Sequence, residues 1–229
     1  GAGWVLMGMG FLFLGIDYMK EGFSSFSEQI DLTQYAMTGI AGLLVFTAVG
    51  MIATVVMQSS HATLTLIITA LATGQITYEN ALALAIGANV GTTITAILGA
   101  MSANEAGKRL AAAHLVFNVV TGIIAIVFIY QLVALVNGVS ALVGIANDDY
   151  TLKLAVFHTI FNLLGIVVML PLIKYLVSLL EKYIPEKVGE VDQPMYLSEA
   201  SAEFPATAAE AVRMETLRVY EAALRIIID

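Results

Sequence analysis

From Leu32 to Asn147 the chain carries only four charged side chains, Glu79, Glu105, Lys108 and Arg109. A stretch so poor in charge has no solvated face to offer, so the expected surroundings are lipid. Over the whole chain 12% of residues are charged and 59% hydrophobic, where a soluble domain usually has about 25% charged. The formal net charge of −8 argues against nucleic acid as a partner, because phosphate-backbone binding needs a basic face. There is no cysteine, so disulfides are excluded. No basic segment leading to a cleavage site opens the sequence, so no signal peptide is read. A start inside an apolar run and a stop inside a helical pattern are what a truncated chain would show.

Apolar runs cover 1–16, 38–57, 62–73, 80–101, 110–136 and 154–180. A spanning helix needs about 20 apolar residues. The runs at 110–136 and 154–180 exceed that, and the run at 1–16 is marginal. Pro171 predicts a kink, since it leaves the Val167 carbonyl without its usual donor. The run at 62–73 is too short to cross alone, and it follows the polar tetrad Gln58-Ser59-Ser60-His61. Two readings remain. One has a full span at 38–57 followed by a buried partial helix. The other, which is preferred, has a re-entrant hairpin over 41–74 with the tetrad at its tip near mid-membrane. Irregular backbone at that depth survives only where protein or a water-filled cavity surrounds it.

The run at 80–101 has Gly87-Ala88-Asn89-Val90-Gly91-Thr92-Thr93 at its centre. Small residues of this kind pack helices closely in membranes. They also suit a discontinuous helix, unwound at Gly87–Gly91 so that backbone groups face a ligand. With the tetrad nearby, the discontinuous helix is the expectation. Lys108 and Arg109 flank one long run, and Lys174, Lys182 and Lys187 flank the end of the other. If those two runs form an antiparallel pair, the basic ends share one side, which the positive-inside rule makes cytoplasmic. Asp148-Asp149 and the acidic loop Asp17–Asp31 then face out.

A short repeat is visible: His114-x-x-Phe117-Asn118 returns as His158-x-x-Phe161-Asn162. His and Asn four residues apart share a helix face, and in lipid such groups turn inward to bond across helices. A structural hydrogen-bonding role is the plain reading and a proton-sensitive element the alternative. A metal site from the three histidines is disfavoured, because no His-x-x-x-His and no nearby carboxylate accompanies them. Ser59 as a nucleophile with His61 as its base is also set aside. Residues two apart on a helix point away from each other, and no acidic partner lies in the membrane portion. Ser and Gln are better suited as neutral ligands, donating to an oxyanion or accepting a sodium ion without burying net charge.

Taken together, Gln58-Ser59-Ser60, then Gly87-Ala-Asn89-Val-Gly91-Thr92-Thr93-Ile-Thr95-Ala, then the two His-x-x-Phe-Asn motifs resemble the second repeat of the type II sodium/phosphate cotransporter family. Gly10–Met19 is similar to the segment that opens that repeat, and the likeness runs from Gly1 to about Lys187. The tail resembles the PhoU-like helical extension that bacterial members often carry. The resemblance implies a transporter and not an enzyme, moving inorganic phosphate inward with sodium through two inverted repeats. This chain would be one half, its other half coming from a missing first repeat or another protomer. It implies a substrate and ion site of Gln58, Ser59, Ser60, Asn89, Gly91, Thr92 and Thr93, with sodium held through Gln58, Ser60, Asn89 and Thr92. His61, Thr95, His114, Asn118, His158 and Asn162 stand beside it as modulators. Sodium enters as the coupling ion, with no other cofactor. His61 departs from the family pattern, which usually has a small polar residue there.

The expected organisation is a membrane transport domain over 1–182, a polar linker over 183–205, and the opening of a cytoplasmic helical module over 206–229. In that last segment apolar Ala211, Met214 and Leu217 interleave with Arg213, Glu215 and Arg218 in an amphipathic helical pattern. The expected location is the inner or plasma membrane, multi-pass, with the tail in the cytoplasm. The rival reading is a membrane component that binds phosphate and reports it through the cytoplasmic module.

Overall fold

Apolar periodicity without β-branched alternation resolves into helices throughout the described residues, and no strand is found among them. The computed structural model describes residues 2–27, 32–186, 194–198 and 203–228. Helices α1 (Ala2–Ser27), α2 (Gly39–Met57), α3 (Ser60–Ala72), α4 (Tyr78–Ala100), α5 (Glu105–Val127), α6 (Ile129–Leu142), α7 (Tyr150–Met169) and α8 (Ile173–Tyr183) are followed by α9 (Pro205–Ile228). Segments in α1, α2, α4, α5 and α7 are long and apolar enough to cross a membrane, as expected of a multi-pass membrane protein. The chain divides into two compact units, Gly1–Ile184 and Pro185–Asp229. Lys187 and residues 28–31 of the acidic loop, used above for orientation, lie outside the described residues.

The first unit is organised around α4, of whose 23 residues 12 are buried. Its glycines decide what packs on it. A Cβ on Gly87 would stand 1.9 Å from the Thr47 carbonyl oxygen, and one on Gly91 2.7 Å from the Met51 carbonyl oxygen. Reciprocally, a Cβ on Gly50 would stand 2.2 Å from the Leu84 carbonyl oxygen. Backbone therefore meets backbone along α2 and α4. Residue numbers rise together on the two helices, from Met37 beside Asn80 to Thr54 beside Gly91, so they run parallel. The five-residue link from Ala72 to Tyr78 returns the chain, which makes α3 antiparallel to both. Accordingly α2 and α3 form a helical hairpin. Gln58 turns it in the left-handed region (φ 53°), Ser59 caps α3 by accepting from the Ala62 N–H (3.2 Å), and Thr54 donates to Thr63 across it (3.0 Å).

The expected discontinuous helix is not observed. Helix α4 runs unbroken from Tyr78 to Ala100 through Gly87–Gly91. Unwinding would free backbone groups that lipid and neighbouring helices do not satisfy. The glycines serve instead to let α2 approach, as in other small-residue membrane interfaces. The run at 110–136 also differs from a single straight helix. It falls on α5 and α6, which meet at a bend at Phe128, where Phe128 N–H still bonds the Ile124 carbonyl (2.9 Å). The kink expected at Pro171 is present as the break between α7 and α8.

Helix α5 runs against α7 and α8. Gly165 faces Phe117 and Thr121, and Arg109 Nε donates to the Ile184 carbonyl (2.8 Å). The basic ends of the two long runs thus lie together, as the antiparallel pairing predicts. At the opposite end Asp149 caps α7, accepting from the Leu152 N–H (2.9 Å) and the Thr151 hydroxyl (2.7 Å). Those bonds, the backbone one foremost, hold its carboxyl below the usual carboxylate range. In the second unit the Glu215 carboxylate accepts from the backbone N–H groups of Met195 (2.8 Å) and Tyr196 (2.9 Å) and pairs with Arg218.

Gly87→Ala should lower the thermal midpoint of the detergent-solubilised protein, since it forces the α2 backbone outward, a change typically costing about 1–3 kcal/mol. Gly99→Ala, which meets nothing within 4 Å, should cause no loss. Equal melting of the two variants in a fluorescence-detected thermal assay would contradict the packing described. In the second unit, Glu215→Ala should speed amide exchange at Met195 and Tyr196, and unchanged exchange there would show that the carboxylate does not order them.

Candidate functional site

Three helices place a polar residue near the middle of their length. Asn89 is central in α4 (Tyr78–Ala100), His114 and Asn118 lie midway along α5, and His158 and Asn162 midway along α7. The tip of the α2–α3 hairpin reaches the same depth. The result is a polar cavity of about 350 Å³ walled by Ser60, His61, Asn89, Thr92, His114, Asn118, His158 and Asn162, with Leu64 and Phe117. All three histidines of the chain line it, each from a different helix. Among the described residues no Asp, Glu, Lys or Arg does.

Hydrogen bonds tie α4 to α7 on one wall. The Asn89 amide nitrogen donates to Asn162 Oδ1 (3.2 Å), and His158 Nε2 lies 3.3 Å from Asn89 Oδ1 and 3.4 Å from Asn162 Nδ2. Asn162 in turn donates to the His158 carbonyl (2.7 Å). The α5 counterpart behaves differently. Asn118 donates to the His114 carbonyl (3.0 Å), a bond within its own helix. Thr92 donates to the Asn89 carbonyl (2.5 Å), leaving its oxygen lone pairs available. The same habit recurs through α3, where Thr63, Thr65, Thr69 and Thr73 each donate to a carbonyl four residues back. Self-satisfaction of this kind lets a hydroxyl-rich helix sit at membrane depth.

Of the residues expected at the site, Ser60, Asn89 and Thr92 reach the cavity, and so do His61, His114, Asn118, His158 and Asn162. Five do not line it. Gln58 is exposed at the hairpin turn, and Ser59 is occupied as the α3 cap. Gly91 is pressed against Met51 and Thr54, buried Thr93 donates to the Val90 carbonyl (2.7 Å), and Thr95 is half-buried elsewhere on α4. Sequence reasoning missed Phe117 and the Thr54–Thr63 pair. The pair had a signal, since the two threonines are nearly equidistant from the Gln58-Ser59 break. Among the described residues no group of three or more His, Cys, Asp or Glu side chains is arranged to hold a metal ion.

On one side the cavity adjoins an apolar groove of about 980 Å³ between the end of α4, the start of α5, the end of α7 and α8. His114 and Phe117 line both spaces and so form the partition between them. Phe117 is seated against Gly165, where an added Cβ would stand 2.7 Å from its ring.

The Na+/Pi-cotransporter family model matches residues 31–155, from just before the hairpin to the first turn of α7. The chain belongs to this family. It is a family of transporters, not of enzymes. This Na+/Pi-cotransporter family chain is 27% identical over 96% of its length to a protein of Escherichia coli strain K12 that carries the name "Putative inorganic phosphate export protein YjbB". It is 30% identical over 61% of its length to the uncharacterized protein YqeW of Bacillus subtilis. It spans 40% of the length of the first relative and 43% of the second. No solved structure matches it.

If the α4–α7 wall is held by the Asn89–Asn162 bond, the double-mutant cycle of Asn89→Ala and Asn162→Ala should give a coupling energy on the order of 1 kcal/mol, the range for polar pairs between membrane helices. Strictly additive melting shifts would contradict it.

Proposed function

We propose that the family chain is part of a sodium-coupled transporter of inorganic phosphate, and that the cavity beneath the hairpin tip holds the substrate. The observation that carries this reading is a site rich in neutral hydrogen-bonding groups and empty of fixed charge. Neutral donors can hold an oxyanion, but they cannot cancel its charge in a medium where burying net charge is costly. A cation that enters with the anion meets that need. Ser60 Oγ and the lone pairs of Thr92 Oγ1 are oxygen-bearing groups suited to sodium, whereas Asn89 Oδ1 is already engaged by His158. The free N–H groups in the first turn of α3 add a partial positive charge toward phosphate.

The hairpin is read as re-entrant. Ser60 and His61 share a cavity with Asn89, the midpoint of α4, so a spanning α4 sets the tip inside the bilayer. Helix α3, with 13 residues, covers only about 20 Å, short of a hydrocarbon core of about 30 Å. The neighbouring Lys and Arg at the starts of α5 and ends of α8 favour a cytoplasmic location for that side and for the tail in the inner or plasma membrane. The other half of the site is assigned to a first repeat or a second protomer, and the tail to a PhoU-like module. The direction of net flux is set by the gradients. A relative's name refers to export and the resemblance implies uptake, and a sodium-linked site serves either.

The test is phosphate flux by the full-length protein in liposomes, with sodium replaced by choline. Flux should fall at least about tenfold, and unchanged flux would remove sodium from the mechanism. Ser60→Ala should abolish flux while leaving expression intact. Normal flux in that variant would take Ser60 out of the site.

A further inference from the structure

The polar side chains of the cavity differ in how far their hydrogen-bonding capacity is already used. Asn89 is engaged at both ends of its amide, by Asn162 and His158. Asn162 is likewise engaged at both, by the His158 carbonyl and by Asn89. Asn118 is only 5% exposed. Its single bond is the one to the His114 carbonyl, which leaves Oδ1 and the second amide N–H unpaired on the cavity wall. These free amide atoms open onto the cavity, where a polar ligand can reach them. The sequence sharpens the contrast. Asn118 and Asn162 close the same His-x-x-Phe-Asn motif and make the same bond to the carbonyl four residues back. In α7 the remaining capacity is taken by α4. In α5 it faces the cavity.

We propose that Asn118 contacts the substrate and sets its specificity, reading a hydrogen phosphate through one donor and one acceptor, whereas Asn89 acts as a positioning residue that joins α4 to α7. This rests on the phosphate reading above. At neutral pH phosphate presents both P–O⁻ acceptors and a P–OH donor, while sulfate presents acceptors alone. The free N–H of Asn118 matches the first and its Oδ1 the second. A site whose buried acceptor meets no donor rejects the ligand that lacks one far more strongly than a missing apolar contact would. The side chain is neutral, so it discriminates without adding charge to the cavity.

The experiment is calorimetric binding of phosphate and of sulfate to the full-length protein in detergent with sodium present. Variants Asn118→Leu, close in size and unable to hydrogen-bond, and Asn118→Ser are compared with wild type. Wild type should prefer phosphate by at least about tenfold, and both variants should lose about tenfold or more in phosphate affinity with little change for sulfate. Thermal midpoints close to wild type would show that the loss is not unfolding, and Asn118→Ser alone decides the matter if the leucine variant does not fold. Asn89→Ala should instead lower the thermal midpoint and leave the phosphate-to-sulfate ratio intact. Phosphate affinity and selectivity unchanged in the Asn118 variants overturn this proposal alone. A wild-type protein that binds phosphate no better than sulfate also overturns it, and one that binds no phosphate overturns the functional reading with it.

Discussion

The contact between α2 and α4 is the constraint on which the rest depends. In a bilayer, apolar side chains gain little by leaving lipid for protein, so helices associate through close packing and polar bonds. Gly50, Gly87 and Gly91 bring two backbones together where any side chain would collide with a carbonyl. That contact aligns α2 parallel to α4 and so fixes where α2 ends. The hairpin turn at Gln58 and Ser59 follows from it, and the turn delivers Ser60 and His61 to the level of Asn89. Without the glycines the polar tip would lie at some other depth, with no polar wall to meet it.

Polarity without fixed charge is the second organising feature. Each polar side chain in the spanning helices faces the same problem, which is to find a partner where there is no water. The threonines of α3 solve it with their own backbone. Asn89, His158 and Asn162 solve it with one another. These choices leave the cavity wall without Asp, Glu, Lys or Arg among the described residues. The proposed ion coupling rests on what the wall lacks as much as on what it holds.

Much of this was legible in the sequence. The break at Gln58-Ser59-Ser60 was marked by polar residues inside an apolar stretch, and the shared face of His114 and Asn118, or of His158 and Asn162, follows from helical spacing. The state of Gly87–Gly91 was not. Lacking a Cβ, glycine permits unwinding and close approach alike, and only the Thr47 carbonyl against Gly87 decides between them. The bend at Phe128 carries no Pro or Gly, and Gln58 adopts a left-handed conformation that glycine usually supplies. Gly91, Thr93 and Thr95, though expected at the site, do not line the cavity for a related reason. A motif is contiguous along the chain, but a helix turns successive residues through about 100°. Thr92 therefore reaches the cavity while Gly91 and Thr93 face elsewhere.

The walls of the cavity are also unequal in how they are joined. Helices α4 and α7 are linked by side-chain hydrogen bonds, and α2 is locked to α4 by backbone contact. Among the described residues α3 makes side-chain hydrogen bonds across to α2 alone, through Thr63, and meets α4 through apolar side chains such as Ile67 and Leu64. Apolar contacts can slide with little loss because they have no required geometry, whereas a buried hydrogen bond must be broken before it is remade. The proposed transport requires that some wall move relative to the others. Among the described residues the bonding pattern leaves both α3 and α5 without side-chain hydrogen bonds to α4 or α7, and α3 is the wall that presents Ser60 and His61 to the cavity.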